Sequence, residues 1–235
     1  MTVDYSPYQE FAKKTFGFTF KDPATLVMAF THRSYINEHK KSAENHNERL
    51  EFLGDAVLEL AVTQFLYANY QEPEGILTNW RSALVRTESI GAAAIRLNFE
   101  SMLRLSKGEK RGSDRARQQI LANSFEAVIG AIYIDQGYEV AKDFITDHII
   151  ATLPQILETG SWRDPKSYLQ EVAQEKDNQT PIYKVLSEDG PDHDKIFTLG
   201  VFIGSKLQGS GSGSSKQAAQ QKAAEEALKY YDTKQ

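Results

Sequence analysis

Apolar residues recur at helical spacing through most of the first 158 positions, and strand-like runs appear only after them. Phe11, Phe16 and Phe18 place a short helix over Tyr5 to Phe18, ending at Gly17. Asp22-Pro23 supplies an N-cap followed by proline at the first helical position, opening a helix that continues over Ala24 to Thr31. A polar loop, Asn37 to His46, precedes a long amphipathic helix capped by Asn47 and running to about Tyr70. Glu72-Pro73-Glu74-Gly75 breaks it, and Thr78 caps the next helix, Asn79 to Ala94, with Trp80, Leu84 and Ile90 inward. A second long helix spans Gln118 to Asp135. Glu158 to Arg163 has the composition of a linker. Asp164-Pro165 then opens a helix over Lys166 to Gln174. Strand-like runs follow at Pro181 to Glu188, Lys195 to Ile203 and Lys206 to about Gly211, the last two joined by a Gly204-Ser205 hairpin turn. A final helix, Lys216 to Tyr231, is capped by Ser215.

The two long helices carry the chemistry. On the first, Leu50, Leu53, Val57 and Leu60 share one side, and Glu48, Glu51, Asp55 and Glu59 share the other. Such a stripe is ordinarily a solvated face. Here, however, no Lys or Arg at i+4 relieves the like charges, which destabilise a helix at that spacing. A bound cation is the other reading. Phe52 projects at the edge of the acidic face, either packing inside its own subunit or reaching a partner. On the second helix, apolar residues from Ile120 to Ile134 cover most of the circumference, leaving a narrow sector to Asn123, Glu126 and Gly130. A helix this apolar is buried, and a buried carboxylate is costly unless paired or metal-bound. Either a distant arginine or a cation shared with the first helix answers Glu126, and the acids on that helix favour the cation.

Three other features have a plain reading beside a functional one. His32 reads as a hydrogen-bonded structural histidine. Ser106 to Gly112, continuing to Arg115 and Arg117, is the densest basic cluster, a solvated loop or a holder of phosphates. Gly209 to Ser215 lies between strand and helix, where small residues let a phosphate backbone approach helix N–H groups.

Composition narrows the class. The 235 residues are 40% hydrophobic and 25% charged, as in a folded globular protein, and suffice for one large domain or two small ones. There is no cysteine, which excludes disulfides and thiolate ligands. No secretory leader or membrane-length apolar run is visible, so a cytoplasmic protein without membrane contact is expected. The net charge of −5 gives no general attraction for nucleic acid, so any basic surface is local.

The stretch Asn47-Glu48-Arg49-Leu50-Glu51-Phe52-Leu53-Gly54-Asp55-Ala56-Val57-Leu58 resembles the signature of the ribonuclease III family, magnesium-dependent endonucleases of double-stranded RNA. The last part of the chain resembles a double-stranded-RNA-binding domain. The resemblance implies an all-α nuclease domain over residues 1–158, a linker over 159–163, and an α+β domain of order α-β-β-β-α over 164–231. It implies magnesium, with manganese able to substitute, held by Glu51, Asp55, Asn123 and Glu126. Asp55 and Glu126 would be catalytic, with Glu48 and Glu74 assisting. It implies RNA contacts at Gln170 and Glu171 on the first helix of the second domain, at His193, and at Ser215 and Lys216. It also implies a homodimer with Phe52 inserted into the partner, no nucleotide cofactor, and a role in rRNA or mRNA processing. The chain departs from the family pattern where Asn123 replaces the usual Asp, and where Gln217 and Gln220 stand at positions often basic. The first departure leaves a second function open: a dimeric double-stranded-RNA-binding protein with weak or lost cleavage.

Overall fold

A computed structural model describes residues 3–39, 45–191 and 195–232. The chain divides into two compact units, one through Trp162 and the other from Arg163.

The first unit is helical: α1 (Ser6–Phe16), α2 (Pro23–Ala29), α3 (Arg33–Glu38), α4 (Glu48–Asn69), α5 (Glu74–Val85), α6 (Thr87–Arg96), α7 (Asp114–Gln136), α8 (Tyr138–His148) and α9 (Leu153–Thr159), with three short 3₁₀ turns. Local chemistry sets several ends. Asp22 accepts from the Ala24 N–H at 3.1 Å, and Gly17 takes the left-handed φ of +82° that stops α1. The core forms around α4 and α7, where Leu58, Leu66, Leu121, Phe125, Ile129 and Ile132 are fully buried. Phe99 stacks on Phe125 at 5.7 Å and meets Phe30 edge-on at 5.1 Å.

Several boundaries differ from the sequence reading. The stretch read as a polar loop begins inside α3, started by His32, whose Nδ1 accepts from the Ser34 N–H at 3.3 Å. Asn47 precedes α4 but does not cap it with its side chain. It is 1% exposed, and its Nδ2 donates to the Ala29 carbonyl at 3.3 Å, tying α4 to the end of α2. The single helix expected from Asn79 to Ala94 is two helices: α5 starts at Glu74, and the extended backbone of Arg86 (ψ 152°) separates it from α6. The second long helix starts at Asp114, because the Ser113 hydroxyl accepts from the Ala116 N–H at 3.3 Å. Leu60 and Ile134, placed inward by their spacing, are each 58% exposed.

The second unit contains α10 (Pro165–Asp177), β1 (Ile182–Asp189), β2 (Ile196–Ile203), β3 (Lys206–Gly213) and α11 (Lys216–Asp232). Its three strands form an antiparallel sheet in the order β1-β2-β3. Asp164 caps α10 and Ser215 caps α11, each accepting a backbone N–H, at 2.9 Å and 3.1 Å. Leu169, Ala173, Val201, Ala223, Ala224 and Ala227 form its core. The Gly-Ser run belongs to β3 rather than to a connection. Its glycines face α11: a Cβ on Gly209 would lie 2.5 Å from the Ala223 carbonyl oxygen, and one on Gly211 2.4 Å from the Ala223 nitrogen. Helix packing, not approach of a phosphate, requires those small residues.

Candidate functional site

Two glycines bring α4 against α7. A Cβ on Gly54 would stand 1.7 Å from the Glu126 carbonyl oxygen, and one on Gly130 2.3 Å from the Leu50 carbonyl oxygen. Backbone therefore meets backbone, and the acids of α4 face Glu126 on α7. The sequence reading put Gly130 in the polar sector of α7 without a role, and Gly54 was only a letter of the signature. A glycine at no visible turn, inside a helix, is the signal that marks such an approach.

Mutual influence among the acids is direct. Burial pushes the Glu126 carboxyl up to about 8, and the neighbouring charges of Asp55 and then Glu51 push the same way. Burial also raises Glu51, with Glu48 and Asp55 adding to it, while a hydrogen bond from Asn123 opposes the shift. The outer acids are neutralised from other elements. Arg33 pairs with Glu48 at 3.1 Å, and Arg81 with Glu59 at 3.0 Å. Among the described residues no Lys, Arg or His pairs with Glu51, Asp55 or Glu126. Nor do the described residues form a ready-made group of three or more metal-ligating side chains. The inner acids thus stand near one another, uncompensated and not closed into a shell, as carboxylates that repel without a cation. Their donor set is all oxygen, which suits a hard divalent ion such as magnesium.

Asn123 sits between two partners. Its Oδ1 accepts from Gln119 Nε2 at 2.7 Å, and its amide donates to Glu51. The oxygen that would meet a metal is therefore turned to Gln119.

Glu74 begins α5 and lines an open cavity of about 730 Å³ with Thr63, Tyr67, Tyr70 and Arg81. None of Glu51, Asp55 and Glu126 lines it. Phe52 is 82% exposed, which removes packing within its own subunit as an account of it. Tyr67, on the same helix, is 80% exposed. His32 is hydrogen-bonded, its Nδ1 2.9 Å from the Ser34 hydroxyl, and burial lowers its pKa. The basic turn is fixed to α3: Lys107 N–H donates to Glu38 at 2.9 Å, and Ser106 N–H to the Ser34 hydroxyl at 3.1 Å. Lys107, Lys110, Arg111 and Arg115 remain exposed around it.

On the second unit, Gln170 and Glu171 are exposed on α10, and Ser215 and Lys216 at the start of α11. His193 lies outside the described residues. The sequence reading missed Glu188 on β1, which pairs with Lys216 at 3.0 Å and with Lys195 at 3.8 Å. Lys216 also lies 5.3 Å from the Phe197 ring. No local spacing joins Glu188 to Lys216, so only the folded sheet reveals the pair.

Residues 22–153, more than half of the chain, match the family described as Ribonuclease-III-like. The chain belongs to the ribonuclease III family. Residues 165–231 match the double-stranded RNA binding motif. Curated proteins named Ribonuclease 3 agree along nearly the full length. That of Oceanobacillus iheyensis is 44% identical over 96% of this chain and 97% of its own. That of Carboxydothermus hydrogenoformans is 47% identical over 92% of each. Two solved structures of the nuclease domain of ribonuclease III from Campylobacter jejuni are 35% identical to this ribonuclease III-family chain. They cover 62% and 63% of it and 98% and 97% of their own chains, with TM-scores of 0.55 and 0.54. One of them is described as flexible in a region involved in dimer formation of that protein. Among the described residues no helix is long and apolar enough to cross a membrane.

Proposed function

We propose that this chain is an endoribonuclease that hydrolyses double-stranded RNA with magnesium, acting as a homodimer in rRNA or mRNA processing. The observation that carries the reading is the α4–α7 crossing. It sets Glu51 and Asp55 against Glu126, while Arg33 and Arg81 pair with the flanking Glu48 and Glu59. Glu51, Asp55 and Glu126 would hold the ion, and manganese would serve in its place. A divalent cation, when bound, acidifies water and stabilises the charge that develops on a phosphodiester. The protein residues supply the rest. Burial, then the charges of Asp55 and Glu51, hold the half-buried Glu126 carboxyl up at about 8, so a proton and a cation would compete for it. Asn123 hydrogen-bonds and orients Glu51, and its oxygen reaches an ion only after it leaves Gln119. Arg33 and Arg81 steady the flanking acids.

Three further features support the remaining parts. The match to the double-stranded RNA binding motif supports the substrate. Exposed Phe52 and Tyr67 support an apolar contact with a second copy. The carboxylate oxygens of Glu51, Asp55 and Glu126 support a hard divalent cation as the cofactor.

The test is a long RNA duplex incubated with the protein, with and without magnesium, beside Glu126→Gln. Cleavage should need the metal, and the variant should lose at least roughly 10²-fold in rate while still binding the duplex. Wild-type cleavage by Glu126→Gln would remove the carboxylates from the chemistry. Duplex binding without any cleavage, restored by Asn123→Asp, would assign the chain to the class of RNA-binding proteins that have lost cleavage.

A further inference from the structure

The cleft between α10 and α11 holds a lysine that none of the roles above uses. Lys166 lies in the first turn of α10. Its Nζ donates to Gln220 Oε1 on α11 at 2.7 Å and lies 5.3 Å from the centre of the Tyr183 ring on β1. Lys166 and Tyr183 line an open cavity of about 380 Å³ together with Gln170, Gln217, Gln221 and one carboxylate, Asp164, which caps α10 by accepting from the Ser167 N–H and hydroxyl. The Tyr183 hydroxyl is buried and has no hydrogen-bond partner among the described residues.

Charge distinguishes this lysine from its neighbours. Lys216 and Lys195 both pair with Glu188, so a phosphate must displace a carboxylate to reach them. Among the described residues Lys166 forms no ion pair, and its polar partner is a neutral amide. Exchanging an amide for a phosphate replaces a hydrogen bond to a neutral oxygen with one to an anionic oxygen and so gains charge–charge attraction. The cleft opens beside Gln170 and close to the N-terminus of α11, the two elements expected to meet RNA. Along its first two turns α11 carries Lys216 and then only neutral side chains, Gln217, Gln220 and Gln221, before Lys222. Positive charge at position 220 is therefore supplied from the opposite helix.

We propose that Lys166 is a phosphate-binding residue for duplex RNA, presented by Gln220 in place of a cation that α11 lacks. The cavity receives one backbone phosphate, and the Tyr183 hydroxyl is an unused donor of a residue that lines it. This rests on the reading that the second unit binds double-stranded RNA.

The experiment measures affinity of the full-length protein for an intact mixed-sequence RNA duplex in EDTA, across a salt series. Wild type is compared with Lys166→Met, which keeps the aliphatic stem, and with Lys166→Met/Gln220→Lys. The expected result is about a tenfold loss in Lys166→Met and a slope of log affinity against log salt smaller by about 1. The double variant should recover both, because the same charge returns from α11. A merely structural tie between the helices would lower the melting temperature, leave the salt slope unchanged and gain nothing from Gln220→Lys; that result overturns the proposal. An unchanged affinity and slope in Lys166→Met overturns it as well, with duplex binding intact. Failure of the wild type to bind the duplex would instead remove the RNA reading on which it stands.

Discussion

The two candidate surfaces treat charge in opposite ways. On α4 and α7, Glu51, Asp55 and Glu126 stand together, and no cationic side chain among the described residues pairs with them. On the second unit, the lysines at β2 and the start of α11 already have a carboxylate, Glu188. In the first arrangement burial, and then the charges of Asp55 and Glu51, disfavour ionised Glu126, a cost that a small cation would relieve. At Lys216 and Lys195 the second stores nothing, because binding there swaps one anion for another. A site of the first kind binds its ion against competition from protons. One of the second kind binds a polyanion reversibly and with strong salt dependence.

The largest effect expected is on the contact that creates the first arrangement. Gly54→Ala forces a methyl group into backbone, and should destabilise the protein by about 3 kcal/mol or more. Chemical denaturation measures it, and Gly130→Ala should behave alike. Unchanged stability in both would mean that α4 and α7 sit further apart than described, and the contrast between the surfaces would lose its basis.

Next in size is the cost of ionising Glu126. Glu126 is raised from 4.5 to about 8 in the folded chain, so the native state holds a proton that the unfolded state releases. Folding stability of the metal-free protein should be highest at or below the unfolded value and fall as pH rises from about 4.5 to about 8, by up to a few kcal/mol. Thermal melts in EDTA at pH 5 and pH 8 test this. Glu126→Gln should flatten the dependence and make the metal-free protein more stable at pH 8. Added magnesium should restore stability to the wild type but not to the variant. A pH-independent wild type would sink the idea that burial and its two acidic neighbours hold Glu126 protonated.

The smallest effect belongs to the second surface. Glu188→Gln removes the carboxylate that pairs with Lys216 and Lys195 without touching the charge of either lysine. Because exposed ion pairs are worth about 1 kcal/mol or less, duplex affinity should rise by no more than roughly fivefold. A titration at low salt would show it. Weaker binding in Glu188→Gln would mean that the carboxylate positions the lysines for RNA instead of competing for them.

What the sequence made legible follows the range of the interactions. Ends made by one side chain and a backbone N–H two or three residues away, at Asp22, Asp164 and Ser215, were readable, and so were the three strands and their hairpin turn. The family and the two-part fold class were readable from the resemblance of residues 47–58 to a family signature and from the order of the last elements. Non-local partners were not. Asn47 has the chemistry of a cap, but its amide is drawn to Ala29 on another helix. Arg86 ends α5 with no proline or glycine to announce it, and it does so where the chain turns back onto the core. Leu60 follows the apolar spacing yet lies in the open, since a helix wheel cannot say how wide the covering layer is. Gly54 and Gly130 were visible as letters, but only their partners across the helix pair give them meaning.

The Gly54–Gly130 crossing contains no side chain, and so it has no rotamers. A contact between packed side chains loses order on warming as each χ angle samples further wells; main chain held against main chain has none to sample. The two glycines cost about 1 kcal/mol each in helix propensity, a fixed toll that falls mainly on the unfolded chain's freedom. In return, the spacing between Glu126 and the acids of α4 is set by the two longest described helices of the unit. Heating should therefore first unsettle the long arms of Arg33 and Arg81 at the rim, and the separation of the carboxylates should persist until α4 and α7 part altogether.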